Sequence, residues 1–140
     1  MRIMGLDYGS RTVGVALTDA LGVTAQPLET ITRDRPSKIR KTLARIEQII
    51  SENEVELIVL GLPVNIDGSE GERCEHTRAF GDTLEKRTGI SVVYEDERLT
   101  TIQSNEILEE MGVKKKDRKT YIDKIAATVI LEQYLHEITP

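Results

Sequence analysis

Short apolar runs at the start of the chain predict three consecutive β-strands. The first runs from Ile3 to Leu6, the second from Thr12 to Thr18, and the third from Ala25 to Thr32. Turn residues separate these runs, so we expect the three strands to pair in sequence and antiparallel. Pro27 has no backbone N–H to donate, which favours an edge position for the third strand.

The pattern then changes to helical spacing. Isoleucine and leucine residues three and four apart predict a helix that Pro36 and Ser37 introduce and that continues to about Glu54. The run from Val55 to Leu60 is almost wholly apolar, as is typical of a strand buried on both faces of a parallel sheet. A second helix, a fifth strand and two further helices are predicted at roughly Glu72 to Arg87, Ile90 to Tyr94, from about Thr100, and Tyr121 to Ile138.

This order of elements predicts an α/β fold with a mixed five-stranded sheet. Three antiparallel strands are followed by two parallel ones, and helical crossovers cover both faces of the sheet. The arrangement resembles the ribonuclease H-like fold. The 140 residues contain no linker, repeat or low-complexity segment, so we expect one domain over residues 1–140.

Composition narrows the setting in which the protein works. Cys74 is the single cysteine, which excludes an internal disulfide, and no apolar run approaches the roughly 20 residues of a membrane span. Met1 and Arg2 lead directly into the first strand, which leaves no room for a signal peptide. We therefore expect a cytoplasmic protein with no membrane partner.

Positive charge is concentrated in two places although the net charge is −5. Six basic residues lie between Arg33 and Arg45, and five of the six residues from Lys114 to Lys119 are basic. A solvated surface is the simpler interpretation of the first cluster. The second cluster favours an anionic partner, because five adjacent cations repel one another unless an anion is often nearby.

The segment Asp7-Tyr8-Gly9-Ser10 places a carboxylate where an apolar strand meets a glycine turn. An ionised acid near a core is costly unless a cation, a donor network or a proton meets it, and a metal bridging to phosphate would serve. Alternatively, Asp7 could serve only to start the turn, because an aspartate before glycine hydrogen-bonds readily to its own backbone. The segment also resembles the first phosphate loop of the actin, Hsp70 and sugar-kinase ATPases. Those enzymes close two such domains over a nucleotide, whereas this chain has the length of one, which weighs against an ATPase.

Further acids are predicted at the same end of the sheet, where open α/β sheets bind ligands. Glu95, Asp96 and Glu97 follow the fifth strand, and Asp123 lies in the first turn of the last helix. The triplet could be a solvated strand end, and Asp123 could simply favour the helix dipole. Two carboxylates about 4 Å apart repel by roughly 4 kcal/mol at an effective dielectric near 20, so a converging set calls for divalent cations.

Four sequence blocks resemble the YqgF/RuvX family of Holliday-junction-resolvase-like proteins, which are regarded as nucleases for the 5′ end of pre-16S ribosomal RNA. They span the chain in the family's order. The blocks are Gly5 to Ala16; Gly61-Leu62-Pro63 with Asn65 and Asp67-Gly68; Asp96-Glu97-Arg98-Leu99-Thr100-Thr101; and Asp123-Lys124-Ile125-Ala126-Ala127.

The resemblance implies a ribonuclease H-like fold and a metal-dependent phosphodiesterase that uses Mg²⁺ or Mn²⁺, with two ions expected. By position, it makes Asp7, Glu97 and Asp123 the catalytic residues and metal ligands. Related resolvases carry an acid at the end of the fourth strand, where this chain has Leu60 and Gly61. We expect the fifth-strand acid to substitute for it. Strand alternation puts Glu95 and Glu97 on one face and Asp96 on the other, and we choose Glu97, with Asp96 as the alternative.

The hypothesis is a hydrolase that cleaves structured RNA during maturation of pre-16S rRNA. We expect substrate contacts from Asn65, Asp67, Arg98, Lys114, Lys115 and Lys116. Two alternatives stay open, a Holliday-junction resolvase acting on DNA and a catalytically silent RNA-binding factor for ribosome assembly. The partner is thus nucleic acid, with pre-16S rRNA preferred to a DNA junction, and the protein is expected to be a monomer or weak homodimer.

Overall fold

The computed structural model describes residues 1–139, so Pro140 of the predicted domain lies outside the described residues. Five strands and four α-helices follow one another along the chain, with one short 3₁₀ turn before the last helix. They are β1 (Arg2–Tyr8), β2 (Thr12–Thr18), β3 (Ala25–Thr32), α1 (Arg40–Asn53), β4 (Val55–Leu62), α2 (Glu72–Thr88), β5 (Val92–Asp96), α3 (Thr100–Glu110), the 3₁₀ turn (Lys115–Asp117) and α4 (Arg118–Ile138).

The five strands form one mixed sheet in the order β3-β2-β1-β4-β5. β2 is antiparallel to both of its neighbours, whereas β1 and β4, and β4 and β5, pair in parallel. The predicted mixed sheet is therefore confirmed, with β3 at an edge. Four strands, β1, β3, β4 and β5, end on the same side of the sheet, which we call the carboxyl edge.

Helices cover both faces of the sheet. On one face, α1 and α2 bury a cluster that includes Leu6, Ile46, Leu60 and Leu84. On the other face, α4 packs on the sheet through residues such as Ile130 and Leu131, and α3 packs on the outside of α4. Each such fully buried side chain contributes roughly 1.5 to 3 kcal/mol to folding. No helix in residues 1–139 is both long and apolar enough to cross a membrane.

Two predicted helix starts are wrong. Helix α1 begins at Arg40 instead of at Pro36 and Ser37, and no side chain caps its first turn. The residues before it form an irregular segment held by other contacts. Helix α4 begins at Arg118, earlier than the predicted Tyr121, because the 3₁₀ turn leads directly into it. Asp123 accordingly lies in the second turn of α4 and not in the first.

Helix α4 lies very close to the sheet where it crosses β2. A Cβ atom at residue 14 would overlap the backbone carbonyl of Asp123, so only glycine fits at that position. Gly14 is also the cross-strand partner of Asp7. The glycine therefore allows the backbone of α4 to bring Asp123 next to the end of β1.

We expect Gly14→Ala to lower the free energy of unfolding by about 2 kcal/mol or more, because the methyl group would force the α4 backbone away from the sheet. Urea unfolding followed by circular dichroism measures the change. Gly71→Ala is the matched control, since a Cβ there would meet only the Asn65 side chain at 3.6 Å. Equal unfolding midpoints for the two variants would contradict the close contact.

Candidate active site at the carboxyl edge

A cavity of about 650 Å³ opens at the carboxyl edge. Its walls are the end of β1, the loop between β4 and α2, the residues after β5, and the first turns of α2, α3 and α4. Five residues that the sequence analysis selected line it, namely Asp7, Asn65, Glu97, Arg98 and Asp123. Residues from distant parts of the chain therefore meet at one site.

Asp7 lies one residue before the end of β1. Alternation along the strand turns Leu6 toward α1 and α2, so Asp7 points toward α4. The pKa of the Asp7 carboxyl is raised to about 6, mainly by burial and also by the nearby charge of Asp123, whereas contact with Glu97 and the charge of Arg73 lower it. A carboxyl group in this position gains from a cation that replaces its proton.

Glu97 follows β5, and its backbone N–H donates to the carbonyl oxygen of Leu62 at 3.1 Å. This bond fixes the direction of the chain, and the side chain extends in front of Gly61. A Cβ atom at residue 61 would lie 2.9 Å from the Oε2 atom of Glu97, so glycine leaves the space that this carboxyl group occupies. Burial, and then the charge of Asp7, raise the pKa of Glu97 to about 9.

The carboxyl groups of Asp7 and Glu97 are hydrogen-bonded to each other. Two carboxylates in contact cannot both ionise at low cost, so the pair shares a proton that Glu97 donates to Asp7. No three His, Cys, Asp or Glu side chains in residues 1–139 are grouped closely enough to hold a metal ion by themselves. Mg²⁺ commonly takes one or two carboxylates and completes its shell with water and phosphate, which the Asp7 and Glu97 pair fits.

The other two acids of the triplet have different partners. Asp96 accepts from the Nε atom of Arg98 through Oδ2 at 2.8 Å, and Glu95 accepts from the side chain of Gln133 in α4 at 2.5 Å. Burial raises the pKa of Glu95 to about 7. Of the three acids, Glu97 is the one that the structure places beside Asp7.

Residues 1–137 match the model of the family RuvX, described as Holliday junction resolvase. The chain belongs to the RuvX family. It is 55% identical over 135 residues to the "Putative pre-16S rRNA nuclease" of Agathobacter rectalis, covering 96% of this chain and 94% of that protein. It is 56% identical over 135 residues to the protein of the same name from Lachnospira eligens, covering 96% of each.

Solved structures of resolvases share the fold. The structure described as T. thermophilus RuvC in complex with Holliday junction substrate has a TM-score of 0.61 at 13% identity, covering 98% of this chain and 95% of that chain. The fowlpox virus Holliday junction resolvase has a TM-score of 0.55 at 14% identity, covering 99% and 100%. The predicted ribonuclease H-like fold is therefore confirmed. Nucleases of the resolvase-like fold generally use divalent metal ions and bind nucleic acid.

In this RuvX-family chain the loop between β4 and α2 forms one side of the cavity. Asn65 lines the cavity, and its side-chain amide donates to the hydroxyl of Ser69 at 3.0 Å. Asp67 does not line the cavity, since its Oδ1 accepts from the backbone N–H and the hydroxyl of Ser69. Arg98 donates to the carbonyl oxygen of Ile66 at 3.2 Å and so ties this loop to the end of β5.

The second basic cluster lies away from the cavity wall. Lys114, Lys115 and Lys116 are exposed in and before the 3₁₀ turn that precedes α4. Asp123 lies in the helix that starts directly after them. The three lysines therefore extend the surface beyond the cavity and do not form part of its lining.

Sequence reasoning missed Arg73 of the RuvX-family site. This exposed residue in the first turn of α2 lines the cavity, and its positive charge lowers the pKa of both Asp7 and Glu97. It lies between Glu72 and Cys74 in a charged stretch with no distinctive spacing. The only available signal is its place at a helix start after a glycine-rich loop.

Proposed function

We propose that this chain is a divalent-metal-dependent nuclease that hydrolyses phosphodiester bonds of structured RNA during 5′-end maturation of pre-16S rRNA. Residues 1–140 act as one nuclease domain. The observation that carries the proposal is the contact between the carboxyl groups of Asp7 and Glu97 inside a cavity at the carboxyl edge. The names of the curated relatives support the choice of substrate.

The acids would hold the metal, with Mg²⁺ or Mn²⁺ as the ions and two ions per site. Asp7 and Glu97 provide adjacent carboxylates, and Asp123 faces the same cavity from α4. When bound, such ions turn a water into a nucleophile and stabilise the departing oxygen of an in-line displacement. Binding requires the shared carboxyl proton to leave, so metal affinity rises with pH.

Arginine side chains at the cavity would position the substrate phosphate. Arg73 stands close enough to lower the pKa of both acids, so a phosphate at the cavity lies within its field. Arg98 holds the loop between β4 and α2 in place and also lines the cavity. Guanidinium groups bind phosphate oxygens through paired N–H donors, which fixes the orientation of the scissile group.

The exposed lysines before α4 would bind the RNA backbone outside the cavity. We expect the Lys114→Gln, Lys115→Gln, Lys116→Gln triple variant to bind RNA more weakly and with a flatter salt dependence, because each lost phosphate contact lowers the slope of log K against log salt by about 0.7 for single strands. Filter binding at several salt concentrations measures the slope. A slope equal to that of the unaltered protein would place the binding surface elsewhere.

RNA maturation of this kind implies a cytoplasmic location, and one set of catalytic acids per chain suits a monomer or a weak homodimer. The chain has only five aromatic residues, which offers few platforms for stacking bases. Recognition therefore depends mainly on the phosphate backbone and on RNA shape.

Side-by-side cleavage of precursor 16S RNA and of a four-way DNA junction tests the proposal. Purified protein is incubated with each substrate in Mg²⁺, in Mn²⁺ and in EDTA. We expect metal-dependent cleavage of the RNA. Cleavage of the junction alone would assign a resolvase, and tight RNA binding without cleavage in either metal would assign an assembly factor. Sedimentation of the same sample gives its oligomeric state, since paired cuts across a junction require a symmetric dimer.

A further inference from the structure

A second cavity, of about 800 Å³, lies beside the segment that joins β3 to α1. We call it the β3–α1 cavity. Its lining is strongly basic, with Arg33, Lys38, Arg40, Lys41 and Arg87 set against one acid, Asp34. Most of the first basic cluster of the sequence therefore surrounds a concave surface, which a simple solvated helix face would not require.

Most of these cations have no acidic partner. Arg87 is paired with Glu47 at 2.5 Å, and Arg45, further along α1, is paired with Glu29 at 2.6 Å. In contrast, no carboxylate in residues 1–139 lies within salt-bridge distance of Lys38, Arg40 or Lys41. The cavity therefore keeps an uncompensated positive charge that attracts a polyanion.

Arg33 connects this cavity to the acidic one. The residue is only 8% exposed, and its guanidinium group lies over the ring of Tyr8 and donates through Nη2 to the carbonyl oxygen of Gly9 at 2.6 Å. Gly9 in turn lines the cavity that holds Asp7. The Nη1 atom of Arg33 is buried and has no hydrogen-bond acceptor in residues 1–139, which is unusual for a guanidinium group.

One end of the β3–α1 cavity, at Arg33, lies at the carboxyl edge of the sheet. Arg33 directly follows β3, and β3 is two strands away from β1, so the spacing of strands puts Arg33 about 10 Å from the end of β1. A nucleic acid strand rises about 3.4 Å per nucleotide in a duplex. A strand whose scissile phosphate is at Asp7 therefore reaches the Arg33 end of the β3–α1 cavity within a few nucleotides, if it passes around the carboxyl edge from the face of α4 to the face of α1.

We propose that the β3–α1 cavity binds phosphates of the RNA strand that flanks the scissile bond. The inference rests on the proposed nuclease function and adds the path of the substrate to it. The lining contains no aromatic ring on which a base could stack. This absence favours a run of backbone phosphates over a free nucleotide, whose base would need a partner.

The test uses the Lys38→Gln, Arg40→Gln, Lys41→Gln triple variant. These three side chains are exposed, so the fold should tolerate the changes, whereas Arg33 is buried and holds the Gly9 loop. With a long precursor RNA we expect binding about tenfold weaker at 0.1 M salt and a salt slope lower by about 2. The loss should shrink as the RNA is shortened toward the scissile bond, because a short strand no longer reaches the cavity.

Single-charge variants provide the matched control. Lys41→Gln should weaken binding of the long RNA, whereas Lys86→Gln removes the same charge from an exposed position outside both cavities and should not. Equal effects of these two substitutions would indicate a general charge effect and overturn the inference.

The remaining outcomes separate the inference from the proposed function. If the unaltered protein cleaves RNA and the triple variant binds and cleaves long RNA equally well, the β3–α1 cavity is not on the substrate path although the nuclease function stands. If the unaltered protein fails to cleave RNA, the proposed function itself fails. Binding of ATP or inorganic polyphosphate that the triple variant loses, with RNA binding unchanged, would identify a small-anion site and overturn the inference.

Discussion

Asp7→Asn is expected to reduce metal-dependent cleavage by about a thousandfold or more, since the loss of a metal-binding carboxylate removes several kcal/mol of transition-state stabilisation. The asparagine side chain has nearly the same size, so the strand and the packing of α4 should be unchanged. Circular dichroism and the unfolding midpoint will establish that the fold is intact. Single-turnover cleavage of precursor RNA in Mn²⁺ measures the loss.

Asp82→Asn is the matched control for this substitution. Asp82 is exposed on α2 and lines neither cavity, so the same chemical change there should leave cleavage unaltered. Undiminished cleavage by pure Asp7→Asn protein would overturn the assignment of the active site. Soaking crystals with Mn²⁺ gives an independent result, because ion density is expected between Asp7, Glu97 and Asp123.

Glu97→Gln should change activity and stability in opposite directions. We expect cleavage to fall by at least about a hundredfold, since the amide cannot replace the carboxylate as an ion ligand. We also expect the metal-free protein to become more stable near pH 8, by about 1 kcal/mol or about 4 °C in Tm, because the variant no longer has to keep a proton on a buried acid. Glu106→Gln, on the exposed surface of α3, is the control.

The pH dependence of stability gives the sign of this effect. The folded pKa of Glu97 is about 9 and that of Asp7 about 6, both above their unfolded values, so folding takes up protons. The stability that these groups contribute is therefore fully present below about pH 4 and is lost as pH rises toward 9. Asp123 strengthens this trend at Asp7, whereas Arg73 opposes it.

Thermal unfolding from pH 5 to pH 9 without metal measures the trend. Stability of the unaltered protein should decline across this range, and the decline should be smaller in Glu97→Gln. Adding Mn²⁺ should raise the Tm of the unaltered protein more than that of the variant, since the ion replaces the shared proton. Parallel pH profiles for both proteins would show that the pKa of Glu97 is not raised on folding.

Much of this architecture could be predicted from apolar spacing, because strands and helices differ in period. Alternation along β5 predicted Glu95 and Glu97 on one face, and the structure places both on the face that α4 covers. Neither the direction of Asp7 toward that helix nor the bond from the Glu97 backbone N–H to the Leu62 carbonyl oxygen was predicted from the sequence. The roles of Asp7 and Glu97 in binding metal stay predictions.

Other features depend on contacts that a linear pattern does not contain. The predicted start of α1 was too early because Pro36 and Ser37 resemble a helix entry. The segment is instead held by Arg33, whose Nε atom donates to the Pro36 carbonyl oxygen at 3.2 Å. The roles of Arg73 and of the β3–α1 cavity could not be predicted from the sequence either. Each is defined by a distance between elements that are far apart in the sequence.

The space in front of Gly61 has room for only one acidic side chain. The Glu97 carboxyl fills the place that a side chain at position 61 would take, so an acid at position 61 and Glu97 exclude each other. Any side chain at position 61 would have to displace two neighbours, because a Cβ atom there would also lie 2.5 Å from the Cδ1 atom of Ile130 in α4.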